Sequence, residues 1–252
     1  MDGPIRSKLS KGPASTGQWR HLFGLVGDSV PTLPEISFRA AEMIRAKPSL
    51  LQDHIRLVLE KAEQLAPWWD FYDQVVGRPF PAYTTSYPTR HPDFSNLLVL
   101  WGVEDASEAA NIAEAVGFKI KVDSSVGPLE KVPNRWDSTV YVTWTQDECQ
   151  RKALGNKTIN ESLYSRSGIR HTDVMETLLL LAQHYFETGR LWNSVDRIVC
   201  HAFRNIHRSS YSFYDKVPTI QLRTADFGHP EIYIGTIGIN ESNESLKAIC
   251  LW

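Results

Sequence analysis

One segment of this 252-residue chain, Thr172–Thr188, constrains the fold more than any other because apolar residues lie on most of its sides. These residues are Val174, Met175, Leu178 to Leu181, Tyr185 and Phe186. A surface helix has one apolar stripe, whereas a helix that is apolar on most sides must be covered by other elements. Gly189 follows, and glycine is the residue that most often ends a helix in the left-handed conformation. The segment therefore predicts a central, nearly buried helix.

The residues before this helix predict alternating strands and helices. Leu97–Val103 is a short apolar run typical of a buried strand, and Ala106–Val116 has the apolar spacing of a helix. Phe118–Val122 alternates between inward and outward residues, as a strand does. Together these three segments predict a βαβ-like unit. Thr139–Trp144 predicts another strand, and Thr145–Gly155 predicts a short helix.

The two ends of the chain differ in the element they predict. Capping boxes that begin at Thr32 and Ser49 predict an N-terminal helical hairpin that ends at Pro67. Three segments near the C-terminus predict an antiparallel meander, namely Val217–Arg223, Glu231–Ile237 and Leu246–Leu251. The predicted fold class is therefore mixed α/β of the α+β type, with an N-terminal helical hairpin, a central βαβ-like unit, two long helices and C-terminal antiparallel strands.

The chain can bury a full core without metals or disulfides, because 42% of its residues are hydrophobic. Residues 1–17 are rich in Gly, Ser, Pro and Lys and predict a flexible leader. Residues 18–252 predict a single globular domain, and two lobes with a boundary near 156–170 are the alternative.

Charge and composition exclude several classes of function. The formal net charge is −2, so nucleic acid binding is allowed through a local patch but is not favoured. The three cysteines form no CxxC pair, which argues against a zinc site or a disulfide framework. No apolar run approaches the roughly 20 residues of a membrane span, and no signal peptide is recognised, so a soluble cytoplasmic protein without membrane contact is predicted. Because P-loop, GxGxxG and HExxH motifs are absent from the sequence, no cofactor and no metal is predicted.

Basic residues follow helical spacing in the segment Asn193–Arg208. Arg197, His201, Arg204 and Arg208 lie at offsets of 4, 7 and 11 residues from the first of them. In a helix they form one stripe opposite an apolar face, and fixed guanidinium groups suit phosphate or carboxylate partners. The pattern predicts a second long helix whose cationic ridge binds a protein or an anionic ligand. The alternative is an ordinary solvated helix face.

Acidic residues lie in and just before the predicted helix Ala106–Val116, and they could pair with the cationic ridge. They are Glu104, Asp105, Glu108 and Glu114. These charges could complement the ridge in a homo-oligomer or bind a cationic partner. The alternative is that they only keep the helix soluble.

Aromatic residues and prolines are interleaved from Trp68 to Trp101, which predicts a stiff, extended strap. One interpretation is an aromatic cover for the core. The other is a stacking surface for a base or a sugar. The candidate binding residues in the strap are Trp68, Trp69, Tyr83, Tyr87 and Arg90. With the ridge, the strap makes nucleic acid binding or processing a second alternative function.

Three short blocks occur in an order found in ester hydrolases. These blocks are Gly27-Asp28-Ser29-Val30, the stretch LVLWGVED at 98–105, and Asp226-Phe227-Gly228-His229. They resemble the motifs of the SGNH (GDSL-type) ester hydrolases, although Glu104 stands where that family has an Asn. The resemblance implies Ser29 as nucleophile, His229 as base, Asp226 as its orienting partner and Gly102 near the oxyanion hole. A serine ester hydrolase is thus the first alternative to a binding protein.

Overall fold

The computed structural model describes residues 15–29, 46, 62–78, 94, 96–129, 140–145, 152–153, 170–192, 197–200, 216–224, 229–238, 240 and 246–251. They belong to two compact units, Lys8–Ala66 and a larger unit that contains Pro67–Trp252. Of the predicted lobe boundary near 156–170, only Arg170 is described, and this boundary stays a prediction.

The smaller unit contains helix α1, Thr16–Ser29. Ser15 caps it: the Gln18 backbone N–H donates to Ser15 Oγ at 3.2 Å, and the Ser15 N–H donates to Gln18 Oε1 at 2.7 Å. This reciprocal capping box means that the predicted leader is already helical at its last residues. Of the predicted helical hairpin, only residues 46 and 62–67 are described, and all of them are helical.

The larger unit contains the remaining described elements. In chain order they are helix α2 (residues 62–71, which enters this unit at residue 67), the π-helical turn Tyr72–Val76, β1 Asn96–Trp101, α3 Ala106–Ala115, β2 Lys119–Val122, β3 Val140–Thr145, β4 Lys152–Ala153, β5 Arg170–His171, α4 Val174–Thr188, β6 Arg197–Val199, β7 Lys216–Thr224, β8 Pro230–Gly238, β9 Leu246–Ala248 and β10 Cys250–Leu251. This mixture of helices and strands confirms the predicted α+β class.

The described strands form two sheets. The four-stranded sheet has the order β1-β3-β10-β5 and is antiparallel. The six-stranded sheet, here called the large sheet, has the order β2-β8-β7-β6-β9-β4. In it β2 runs parallel to β8 and β6 parallel to β9, while the other neighbours are antiparallel.

Helix α4 is the central, buried helix that the sequence predicts. It contacts α3, β1 and β7, and therefore touches both sheets. Asp173 begins the helix with a capping box, in which its carboxylate accepts from the Glu176 N–H at 2.8 Å and Glu176 accepts from the Asp173 N–H at 2.9 Å. Gly189 ends it with a φ of 68°, in the left-handed region that favours glycine.

The predicted βαβ-like unit is wrong in its pairing. Its three elements form at nearly the predicted positions, but β1 lies in the four-stranded sheet and β2 lies in the large sheet. The pattern of each strand carries no information about which partner completes its hydrogen-bond ladder, because pairing is settled by distant segments.

The predicted C-terminal meander is confirmed only for β7 and β8, which pair antiparallel along their whole length. The third predicted strand is two strands, because Ile249 is buried between them and its carbonyl accepts from the Thr172 N–H at 3.0 Å. As a result β9 pairs with β6 in the large sheet, and β10 pairs with β3 and β5 in the other. The short helix predicted for Thr145–Gly155 is also wrong at Lys152–Ala153, because these residues form strand β4, which pairs with β9.

The second long helix is wrong where it can be checked. Arg197–Val199 is strand β6, paired with β7 on one side and β9 on the other. Ile198 and Val199 are buried, and these β-branched residues fit a central strand well. Residues 197–199 are extended because they form hydrogen bonds with two neighbouring strands. The helical spacing of the basic residues does not determine their conformation.

Helix α2 and the π-helical turn also correct the extended strap at residues 68–76. Trp68 Nε1 donates to the Leu97 carbonyl at 2.8 Å, and the Tyr72 hydroxyl donates to the Val99 carbonyl at 3.0 Å. The Tyr72 oxygen also accepts from the Trp101 N–H at 2.9 Å. Aromatic side chains thus satisfy backbone groups of β1 that lie away from β3, as a neighbouring strand would.

In the part of the chain that the structure describes, no helix combines the length and the apolar character needed to cross a membrane.

Candidate functional site

The large sheet has one apolar side, and its other side is polar only at one end. The side chains of the apolar side are Ile120, Ile198, Ile220, Leu222, Ile232 and Ile234, and the register places them together. On the opposite side, alternation places the buried Val199, Val217 and Ile237 at one end of the strands. At the other end of that side it places Lys119, Lys121, Arg197, Gln221, Arg223, Glu231 and Tyr233. We call this set the polar face.

Two rows of the polar face follow from the strand register. One row runs across β2, β8, β7 and β6 and consists of Lys121, Tyr233, Gln221 and Arg197. The next row consists of Lys119, Glu231 and Arg223. The two lysines and Arg223 are exposed, and the other members except Glu231 are half-buried.

The Tyr233 ring is held at two points. Its hydroxyl donates to Asp123 Oδ2 at 2.6 Å, and this hydrogen bond raises the pKa of the phenol. The ring lies close to Gly235, where an added Cβ would be 2.9 Å from Tyr233 Cε1. Glycine is therefore needed at 235 for the ring to keep this position.

The Arg223 guanidinium is fixed by Tyr233 and Gln221. It lies over the Tyr233 ring, with Cζ 4.1 Å from the ring centroid. Its Nε and Nη2 donate to Gln221 Oε1 at 3.1 Å and 2.8 Å. A guanidinium has further N–H groups, which are left to bind a ligand.

Positive charge on the polar face is only partly neutralised. Lys121 Nζ lies 2.7 Å from Glu231 Oε2, so the buried Glu231 carboxylate on β8 forms an ion pair with this lysine of β2. Within the described residues, neither Arg197 nor Arg223 forms an ion pair. The register makes these two arginines diagonal neighbours, with Cα atoms separated by about 7–8 Å. Two unneutralised guanidinium groups at this spacing can bind an anion together.

Asp123, next to this face, is a strong hydrogen-bond acceptor. The Ser125 side chain, the Tyr233 hydroxyl and the Ser125 N–H all stabilise its ionised form, and they lower the pKa of the carboxyl to about 2. The Ser125 hydroxyl also lies 2.9 Å from Thr236 Oγ1. The network connects the end of β2 to β8 beside Tyr233.

Asp123→Asn is expected to destabilise the protein in a pH-dependent way. A lowered carboxyl pKa stabilises the fold fully above the unfolded value of about 3.9, and this contribution is lost as the pH falls toward the folded value. The stability advantage of the wild type over the variant should therefore be present at about pH 5 and shrink steadily toward about pH 2. Urea unfolding of both proteins over this range measures it. A constant difference in unfolding free energy across the range contradicts the assignment.

The residues of the predicted ridge and strap have different positions in the structure. Arg197 belongs to the polar face, while His201, Arg204 and Arg208 lie outside the described residues. Trp68 is buried against Phe71 and Tyr72, so its ring covers the core. Trp69 is 58% exposed. Tyr83, Tyr87 and Arg90 lie outside the described residues, so the stacking role proposed for them stays a prediction.

The ester hydrolase residues are divided between the two units and the residues outside the described part of the chain. Ser29 is the last residue of α1 in the smaller unit, and Asp226 is outside the described residues. His229 is exposed and directly precedes β8. The predicted triad therefore stays a prediction.

Gly102, expected near an oxyanion hole, has a structural contact instead. Its φ is 62°, and its carbonyl accepts a hydrogen bond from Arg78. Arg78 also pairs with Glu108 Oε1 at 2.6 Å, and the Glu104 N–H donates to the other oxygen of Glu108 at 2.9 Å. Asp105 is the N-cap of α3. Two carboxylates of the predicted acidic helix are thus engaged within the chain, which weakens the argument for a homo-oligomer contact there.

A second polar cluster lies inside the larger unit, at the start of α4. The buried Glu176 accepts a hydrogen bond from the Tyr141 hydroxyl, and Thr177 Oγ1 lies 3.5 Å from Cys200 Sγ. Burial raises the pKa of the Cys200 thiol to about 12, so the thiol is protonated and unreactive. This cluster therefore stabilises the helix start rather than providing a nucleophile.

Sequence reasoning missed most of the polar face. Its signal was the alternation in Lys119–Val122, Gln221–Arg223 and Glu231–Tyr233, where every second residue is polar. That alternation predicts one polar side for each strand. It does not predict that the strands are neighbours, so it could not unite these residues.

Among the described residues, no cluster of three His, Cys, Asp or Glu side chains is arranged to hold a metal ion. Comparison of the chain with family models, curated proteins and solved structures gives no match.

Proposed function

We propose that this protein is a binding protein whose polar face contacts an anionic partner. The observation that carries the proposal is the Arg223 guanidinium, which is stacked on Tyr233 and hydrogen-bonded to Gln221 but is not paired with a carboxylate among the described residues. The cytoplasmic location expected from the sequence is part of this proposal.

Fixed guanidinium groups favour binding because little conformational entropy is lost when the ligand arrives. Arg223 already has its orientation, since both the ring and the amide hold it. Arg197 is half-buried on a central strand, which limits its freedom as well. A structural ion pair would instead place a carboxylate against each arginine, as Glu108 lies against Arg78.

The combined variant Arg197→Gln and Arg223→Gln is expected to bind polyanions at least about tenfold more weakly than the wild type. Heparin serves as the probe, and the dissociation constant is measured at low salt and at increasing salt, because exposed charge pairs are screened. The matched control is Arg190→Gln, which changes an exposed arginine just after α4.

The control variant should bind heparin as the wild type does. Equal affinity of the double variant and the wild type at low salt would remove the polar face from consideration. The circular dichroism spectrum of each variant is compared with that of the wild type to establish that the fold is retained.

A further inference from the structure

We infer that the anionic partner is a single-stranded nucleic acid, which lies across the polar face with a base stacked on the Tyr233–Arg223 pair. This inference rests on the proposed function and names the chemistry of the ligand. Three features carry it: the extent of the positive charge, the planar stack, and the state of the carboxylates on the same face.

The positive charge extends too far for one small anion. Lys119 on β2 and Arg197 on β6 are separated by three strand-to-strand steps, which is about 14 Å. Arg223 lies on β7, between these two strands. A single phosphate or carboxylate cannot contact both ends, whereas a phosphodiester strand carries one charge per nucleotide along its length.

The planar stack distinguishes a nucleic acid from an acidic peptide. The Arg223 guanidinium lies over the Tyr233 ring, with Cζ 4.1 Å from the ring centroid, and a guanidinium plane is a platform on which bases stack. Bases can reach such a platform only when they are not stacked within a duplex, so the face suits a single strand. An acidic side chain binds the N–H edge of a guanidinium and does not stack on its face.

The carboxylates on and beside this face do not repel such a ligand strongly. Glu231 is buried and paired with Lys121 at 2.7 Å. Asp123 accepts hydrogen bonds from Tyr233 and Ser125, which turn its oxygens toward the protein. The positive charges without a carboxylate partner among the described residues are those of Lys119, Arg197 and Arg223.

The experiment measures the affinity of labelled single-stranded RNA and DNA of about 12 nucleotides by fluorescence anisotropy. Tyr233→Leu removes the ring, while Tyr233→Phe keeps it and loses only the hydroxyl bond to Asp123. Stacking predicts that the Leu variant binds about five- to fifty-fold more weakly and that the Phe variant stays within about threefold of the wild type. Arg223→Lys keeps the charge without the plane and should also lose about fivefold or more.

Poly-glutamate of similar charge is the comparison probe. Oligonucleotide binding that depends on the ring of Tyr233 and the plane of Arg223 supports the inference. Binding of poly-glutamate but not of oligonucleotides overturns the inference and leaves the proposed function standing. Failure of both probes and of heparin overturns both. Equal oligonucleotide affinity in the wild type, Tyr233→Leu and Arg223→Lys would overturn the stacking inference; Arg223→Lys provides this test even if the Leu variant does not fold.

Discussion

Leu178→Ala is expected to lower the free energy of unfolding by about 3–5 kcal/mol. Leu178 lies on α4 and is 0% exposed, in the helix that contacts both sheets. Truncation removes the transfer free energy of the lost methyl groups and leaves a cavity that rigid neighbours fill only in part. Because small domains have a total stability of about 5–15 kcal/mol, this loss is a large fraction of the whole.

Urea unfolding measures the effect, with Val122→Ala as the matched control. Val122 is 42% exposed on the short strand β2, so its truncation should cost only about 0.5 kcal/mol. A loss below about 1.5 kcal/mol for Leu178→Ala would show that α4 is not tightly packed in the core of the larger unit.

Tyr72→Phe is expected to destabilise the protein by about 2–3 kcal/mol. The fully buried hydroxyl donates to the Val99 carbonyl and accepts from the Trp101 N–H, so its removal leaves two backbone groups of β1 without this partner. Phenylalanine keeps the ring and its packing. The cost therefore comes from desolvated backbone groups rather than from a cavity.

The loss caused by Tyr72→Phe should be the same at about pH 6 and about pH 9. Burial raises the pKa of the Tyr72 phenol above its ordinary value, so the hydroxyl is protonated in both states across this range. Tyr233→Phe is the control, because its hydroxyl has one partner and is half-buried, and it should cost less. Equal losses in the two variants would argue against the role given to Tyr72 at the edge of β1.

Leu178 is connected to the polar face through the large sheet. It lies in α4, which contacts β7, and β7 also carries Gln221 and Arg223 of the polar face. The apolar face of the large sheet is therefore anchored by the core, while the polar face presents fixed side chains. A rigid sheet is a better support for an anion site than a loop, since its side chains keep their spacing.

Local patterns in the sequence were sufficient for much of the secondary structure. Apolar residues on most sides of Thr172–Thr188 predicted α4, and Gly189 predicted its end. The strands β7 and β8 followed from runs of alternating and β-branched residues. Such patterns reflect interactions within a few residues, where the period of side-chain burial is characteristic of a helix or a strand.

The candidate site could not be obtained in this way. Arg197 was selected for its spacing in a helix, yet it belongs to a strand, and its partners Arg223 and Tyr233 were not selected at all. Their proximity depends on the register between β6, β7 and β8.

The sequence by itself determined where α4 begins and ends, which residues are apolar enough to form a core, and the α+β class. Only the tertiary structure decided that β1 and β2 belong to different sheets, that 197–199 is extended, and that the polar residues of β2, β6, β7 and β8 share one face. The physical reason is that helix hydrogen bonds join residues four apart, whereas a strand obtains its hydrogen bonds from segments anywhere in the chain.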